Sequence, residues 1–293
     1  MENNMKQNIS IIGFCGTKQS GKNTCTKIWQ LLDVYHNFFT KHEIEEIGND
    51  AITYVLKELE NPIGLDLANS VWEHHFFSKP LKEIVCILTG CSMQDLENED
   101  FKNKLVPEHW VTWKLYKTTA DRNIDRYSMI FNTEDEARKK LKQQSMYFNN
   151  VSIKPYHPTY RQFMRYVGTE LFIEQLHANW AVNILFKDYK PLKYEGSGNN
   201  INETSQNAKP VYPKWILSDV RFKEHEEVIR KYGGIIISVQ LLSDSMEVDA
   251  HRSETEVSEI KVDYTISARK GDIESLILQI YDIMKELNII RNV

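Results

Sequence analysis

The sequence predicts an α/β protein built on a doubly wound, parallel sheet of about five strands, with helical segments inserted between them. Three observations lead there. Short β-branched runs alternate with amphipathic stretches of helical period along much of the chain. The first of these runs, "NISIIGF" at 8–14, is almost entirely apolar, as a strand covered on both faces of a parallel sheet must be. The loop behind it, "CGTKQSGKNT" at 15–24, turns on two glycines and runs into "CTKIWQLLD", a helical pattern that ends near Asp33.

The elements follow in order. Residues 34–70 are helical in places, as in "EIEEIGNDAITYVLKELE", and end in a segment punctuated by Pro62 and Gly64. "VWEHHFFSKPLKEIVCILTG" reads as a short strand to Phe77, a break at Pro80 and a helix closed by Gly90. Residues 97–150 are charged and aromatic with weak periodicity; they read as an insertion holding the basic stretch "TTADRNIDR" and one helix, "TEDEARKKLKQQSMYF". A long helical pattern then runs through "HPTYRQFMRYVGTELFIEQLHANWAVNILFKDY". It is interrupted near Gly168, and Phe163, Val167, Leu171 and Ile173 are expected on one inner face. Residues 193–210, rich in Asn, Gly and Ser, are expected to be a mobile surface loop. "KWILSDVRF" is a strand ending at Asp219, "KEHEEVIRKYGG" a helix with a glycine stop, and "IIISVQLL" a buried strand. "DYTIS" supplies the last strand and "DIESLILQIYDIMKELN" the closing helix. The whole chain, 1–293, reads as a single domain with insertions at about 34–70, 97–150 and 193–210.

Composition narrows the function. With 41% hydrophobic and 26% charged residues the chain is an ordinary globular one. Its 36 basic and 41 acidic residues give a net charge of -5, the wrong sign for a protein that grips nucleic acid over a broad surface. The start "MENNMKQN" is polar and the apolar runs are short, so neither secretion nor membrane spanning is expected and the chain is placed in the cytoplasm. Cysteines at 15, 25, 86 and 91 form no C-x-x-C pair and read as reduced thiols. A metal set of Cys86, Cys91, His74 and His75 would fit no standard spacing.

Gly16 to Lys22 fits G-x-x-x-x-G-K, with a strand before it and a helix beginning inside it. Glycines let such a loop close around an anion, its amides and the helix N-terminus point at phosphate oxygens, and Lys22 adds a point charge. Asn23 stands where Ser or Thr is usual, with Thr24 one place later. An amide is a poorer magnesium ligand than a hydroxyl, so the phosphate reading is firmer than the metal one. The plain alternative is a glycine turn.

Several segments together resemble the deoxynucleoside monophosphate kinases of phages and large viruses, a branch of the P-loop nucleoside monophosphate kinases. "GTKQSGKNT" is similar to that family's G-x-K-x-S-G-K-D-T, and "FFSKPLKEIVCILTG" to its second strand and following helix start. "RQFMRYVGTELFIEQLHANWAV" is similar to its R-x-x-M/L-x-x-x-G-T helix with a trailing Trp. "ILSDVRFKEHEEVIRKYGG" resembles its D-x-R strand end, and "HRSE" followed by "DYTIS" its late loop and last strand. Asn23 departs from the acidic residue of the family loop, no Arg-rich lid is evident, and the three insertions lie outside the resemblance.

The resemblance implies a P-loop fold, ATP and Mg2+, nucleotides as small-molecule partners and, in keeping with the family, a homodimer. Gly16, Lys18, Ser20, Gly21, Lys22, Asn23 and Thr24 would hold the ATP phosphates, and Thr24 and Asp219 the metal. Lys79, Arg161, Arg165, Trp180, Asp219 and Arg221 would take the acceptor, with Lys22, Asp219, Arg221 and Arg161 catalytic. Each has a plainer alternative: Asp219 as a helix cap, Arg161 as a surface charge, Lys79 as a loop lysine, Trp180 as core. His251, Arg252, Glu254 and Arg269 are weaker candidates near the late loop. The expected activity is transfer of the γ-phosphate of ATP to a (deoxy)nucleoside monophosphate. A kinase for another small acceptor, of the dephospho-coenzyme A or sugar-acid kind, and a nucleotide-binding protein without catalysis remain open.

Overall fold

The computed structural model describes residues 9–17, 19–47, 50–60, 65–117, 130–143, 151–195, 209–242 and 256–290. In chain order the strands are β1 (Ile11–Cys15), β2 (Glu73–His75), β3 (Thr112–Lys117), β4 (Ile130–Phe131), β5 (Val151–Tyr156), β6 (Lys193–Glu195), β7 (Lys209–Val211), β8 (Trp215–Val220), β9 (Ile235–Leu242) and β10 (Tyr264–Arg269). The helices are α1 (Lys22–Asn37), α2 (Lys41–Ile47), α3 (Ala51–Glu60), α4 (Leu65–Val71), α5 (Lys79–Thr89), α6 (Glu99–Lys102), α7 (Glu134–Gln143), α8 (Tyr160–Arg165), α9 (Trp180–Phe186), α10 (Lys223–Lys231) and α11 (Ile273–Glu286). The chain clusters into two compact units: residues 1–79 with 181–293, and residues 80–180. The expected insertion at 97–150 is part of the second unit, which also takes in most of α5 and the helical run from 160 to 180.

The first unit holds a five-stranded sheet in the order β10-β9-β1-β8-β2, parallel throughout. All five expected strands lie in it. Strand alternation divides its side chains between two layers. Ile12, Phe14, Ile216, Ile235, Ile237 and Ile266 join the core formed with α1, α3, α4 and α11. Ile11, Cys15, Leu217, Val220 and Ile236 join the core on the other face with α10 and Phe186 of α9. The α1 stripe Cys25, Ile28, Trp29, Leu32 and Tyr35 follows the helical period and is buried. Each large member stabilises the fold by about 1.5–3 kcal/mol through removal from water. Trp29 packs edge-on against Phe14 and Trp72, with centroids 6.4 and 5.9 Å apart.

One irregularity bears on the site. Gly13 pairs with Leu217 but Cys15 pairs with Val220, so β8 uses three steps where β1 uses two. Leu217 and Val220, three apart, therefore share one core layer. The ends of the expected 193–210 loop pair as the antiparallel ribbon β6–β7; residues 196–208 lie outside the described residues.

The second unit contains an antiparallel sheet, β4-β3-β5, that the sequence reading did not anticipate. Pro155 argues against a strand, yet it sits in β5 at a sheet edge, where a missing donor is tolerated. Its core gathers Val85, Leu96, Val106, Tyr160, Phe163 and Val167. Thr159 and Gln162 form a reciprocal capping box at the start of α8. The expected break near Gly168 is instead a π-helix over Tyr166–Leu176. Its wider turn changes the phase of the apolar stripe. Phe163 and Val167 are buried, but Leu171 is 39% exposed, so the single inner face expected for these residues is not formed.

Candidate functional site

The glycine loop is shaped by backbone hand. Gly16 leaves β1 at φ +141°, and a Cβ there would stand 2.3 Å from the Val239 carbonyl oxygen of β9 and 2.9 Å from Ser20 Oγ. Gln19 lies at φ 63° and Gly21, at the N-cap of α1, at φ 97°. Positive φ at Gly16, Gln19 and Gly21 is the kind of irregular backbone that an anion-binding loop needs. Gly21 brings no side chain to cap the first amides of α1, and an anion would satisfy them.

Lys22 folds back into the loop. Its ammonium donates to the carbonyls of Gly16 (2.9 Å) and Thr17 (2.6 Å) and to Ser20 Oγ (3.3 Å), and the residue is 9% exposed. The Thr26 hydroxyl donates to the Lys22 carbonyl at 3.2 Å, bracing the first turn. Asn23 is exposed and Thr24 half-buried. Lys18 lies outside the described residues. Burial pushes the neighbouring Cys15 thiol up to about 11, against Ser238 and Lys22, and the Cys25 thiol up to about 12, against Lys22, which disfavours both thiolates.

Asp219 stands near the end of β8, one residue before the Val220 that pairs with Cys15. The loop after β1 and this carboxylate therefore occupy adjacent strands at the carboxyl edge of the sheet, where parallel α/β folds place ligands. Asp219 does not cap α10, whose N-cap is Phe222. Its Oδ1 accepts the Phe77 amide and its Oδ2 the Ser78 amide, both at 2.9 Å, which fastens the loop between β2 and α5.

Two histidines lie near this carboxylate: His225, not singled out in the sequence, and His74, considered there only as part of a metal set. His225 is buried and stacks on Phe77 with ring centroids 3.6 Å apart and an 8° tilt. Its Nδ1 accepts the Arg221 amide at 3.3 Å, which places the proton of the neutral ring on Nε2. His74 Nε2 shares a 2.7 Å hydrogen bond with Ser218 Oγ. Burial lowers both histidines to about 4, with Asp219 opposing, so both are neutral near pH 7. The signal available in the sequence was weak: His225 follows the D-x-R pattern by four residues, and its partner Phe77 is far away in the chain.

No protein-family model matches the chain, and no curated protein matches it. The site therefore rests on its own geometry.

Lys22, Thr24, Asp219 and Arg221 belong to the same sheet edge of the first unit. Lys79, exposed, begins α5 directly after the amides that hold Asp219. Arg161, Arg165 and Trp180 belong to the second unit. There the Arg161 guanidinium pairs with Glu99 at 2.6 Å and approaches Asn103 at 3.3 Å, the surface-charge alternative. Arg165 is exposed. Trp180 is 7% exposed and stacks on Phe172 with centroids 4.6 Å apart, the core alternative. Arg269 ends β10 in an exposed position, and His251, Arg252 and Glu254 lie outside the described residues.

Among the described residues no group of three or more His, Cys, Asp or Glu side chains is placed to hold a metal. The donors present still suit magnesium, which keeps several waters and takes one or two protein ligands beside phosphate oxygens. Asp219 has lone pairs left after accepting its two amides, and Thr24 offers a half-buried hydroxyl. Among the described residues no helix is long and apolar enough to cross a membrane.

Proposed function

We propose that the protein is a P-loop nucleotide kinase that transfers the γ-phosphate of ATP to a (deoxy)nucleoside 5'-monophosphate. The observation that carries this reading is Lys22, a buried ammonium folded back onto Gly16, Thr17 and Ser20 at the start of α1. The ammonium now donates to the Gly16 and Thr17 carbonyls and would exchange these acceptors for phosphate oxygens on binding a triphosphate. Phosphoryl transfer asks a protein mainly for positioning and charge neutralisation, and this loop supplies both.

Lys22 and the amides of the loop and of the first turn of α1 would bind the β- and γ-phosphates and stabilise the charge that builds on them. Asp219 and Thr24 would hold the magnesium ion, which supplies neutralisation of the phosphate oxygens. Arg221, two residues after Asp219, would offer its guanidinium to the acceptor phosphate. The neutral rings of His74 and His225 hold Ser218, Phe77 and the Arg221 backbone around Asp219 without adding charge. The choice of a deoxynucleotide acceptor comes from the family resemblance.

The test is direct. Purified protein is incubated with ATP, magnesium and each nucleoside and deoxynucleoside monophosphate, and the diphosphate is quantified. The expected result is diphosphate from at least one acceptor, lost in Lys22→Ala. Absence of diphosphate from every acceptor refutes the proposal.

A further inference from the structure

The last turn of α5 and the residues just beyond it bring together two of the four cysteines. Cys86 lies on α5, Gly90 ends the helix at φ +77°, and Cys91 follows. The Cys86 and Cys91 sulfurs are 3.8 Å apart. Thr89 Oγ1 lies 3.3 Å from the Cys91 sulfur and donates to the Val85 carbonyl at 2.7 Å, fixing the side of the helix on which Cys91 returns. Both residues are half-buried, whereas Cys15 and Cys25 are at most 1% exposed. The pair is therefore more open to a solution reagent than the other two thiols.

We propose that Cys86 and Cys91 form a dithiol site that takes a low-molecular-weight disulfide, such as glutathione disulfide, and closes reversibly to an intramolecular disulfide. The sulfurs need to approach from 3.8 Å to about 2.0 Å. The backbone between them can supply that movement. Gly90 already sits in the left-handed region, has open space where a side chain would be, and is tied to Cys86 by a 2.8 Å bond from its amide to the Cys86 carbonyl.

The chemistry balances as two exchanges. The Cys91 thiolate attacks one sulfur of glutathione disulfide, forming a mixed disulfide and releasing one glutathione thiolate, which takes up the proton that Cys91 lost. The Cys86 sulfur then loses its proton and attacks the Cys91 sulfur, releasing the second glutathione, which leaves with that proton. The protein is oxidised by two electrons and glutathione disulfide is reduced to two molecules of glutathione. Burial, with the neighbouring Cys91, Asp95 and Glu83, pushes the Cys86 thiol up to about 11, which disfavours Cys86 as the thiolate that opens the reaction.

The full-length protein is equilibrated in mixtures of glutathione and glutathione disulfide, alkylated, digested with trypsin and analysed by mass. Residues 83–102 contain both cysteines on one tryptic peptide. The expected product is that peptide, two hydrogens lighter and unalkylated, returning to the dialkylated form after dithiothreitol. Cys86→Ser should instead accumulate a single glutathione on Cys91. In both proteins Cys15 and Cys25 should stay unreactive until denaturant is added, which shows that the variant is folded. A wild-type protein that keeps a stable glutathione adduct on Cys91, or whose two thiols remain alkylatable at the most oxidising ratio, overturns the proposal.

Discussion

Replacing Gly16 by Ala tests the shape of the phosphate loop more sharply than any change to a charged residue, because Gly21→Ala supplies a matched control. Both glycines lie at positive φ, so each substitution carries the backbone cost of an L-residue in a left-handed region, about 1–2 kcal/mol. At Gly21 nothing lies within 4 Å of the new methyl group, and the cost ends there. At Gly16 the methyl would meet the Val239 carbonyl at 2.3 Å, more than about 1 Å inside ordinary contact. Val239 belongs to β9, which is paired on both sides, by β1 and β10, so it cannot simply move away. Overpacking of that kind adds about 1–3 kcal/mol. Gly16→Ala should therefore destabilise by about 2–5 kcal/mol against about 1–2 for Gly21→Ala, a difference that urea unfolding resolves as a midpoint shift of up to about 1 M. Trp29 and Trp72, fully buried in the same unit, give the fluorescence signal. Equal midpoints for the two variants would refute the close approach of Gly16 to Val239.

Lys22→Ala should lower phosphoryl transfer at least about 100-fold, the scale for losing one donor to a developing charge, as read by initial rates at saturating ATP. Asp219→Asn leaves one of the Phe77 and Ser78 amides without an acceptor and should cost about 1.5–3 kcal/mol in urea unfolding, even without any nucleotide present. Stability should also fall in acid. His74 and His225 are lowered from 6.5 to about 4, so the unfolded chain binds more protons between those values. Their contribution is complete above pH 6.5 and disappears as pH falls towards 4. His225→Gln should flatten that part of the stability profile in denaturation at fixed pH values.

The parallel sheet was legible in the sequence because its strands are apolar runs bounded by turn residues. "IIISVQLL" coincides with β9, and "DYTIS" overlaps β10 in all but its first residue. The glycine loop was legible for the same reason: its chemistry is local. The antiparallel sheet of the second unit was not, since the pairing of β5 with β3 depends on residues some forty positions apart. The π-helix was hidden by Gly168, which reads as a helix break but serves a close approach to the Leu81 side chain, 2.8 Å from where a Cβ would stand. At the site, Asp219 was visible, but its binding to Phe77 and Ser78, more than 140 positions away, was not. Stacking of His225 on Phe77 is another long-range result of folding that no local pattern announces.

The uneven step between β1 and β8 gives the carboxylate an unusual support. A residue aimed from a surface loop drifts with that loop, whereas Asp219 takes its direction from the count of residues in a hydrogen-bonded ladder. Chain length at this point, as well as side-chain identity, is therefore under constraint. Deleting Ser218 would restore even alternation between Leu217 and Val220, put Asp219 on the opposite face of the strand from both, and remove the hydroxyl that His74 bonds.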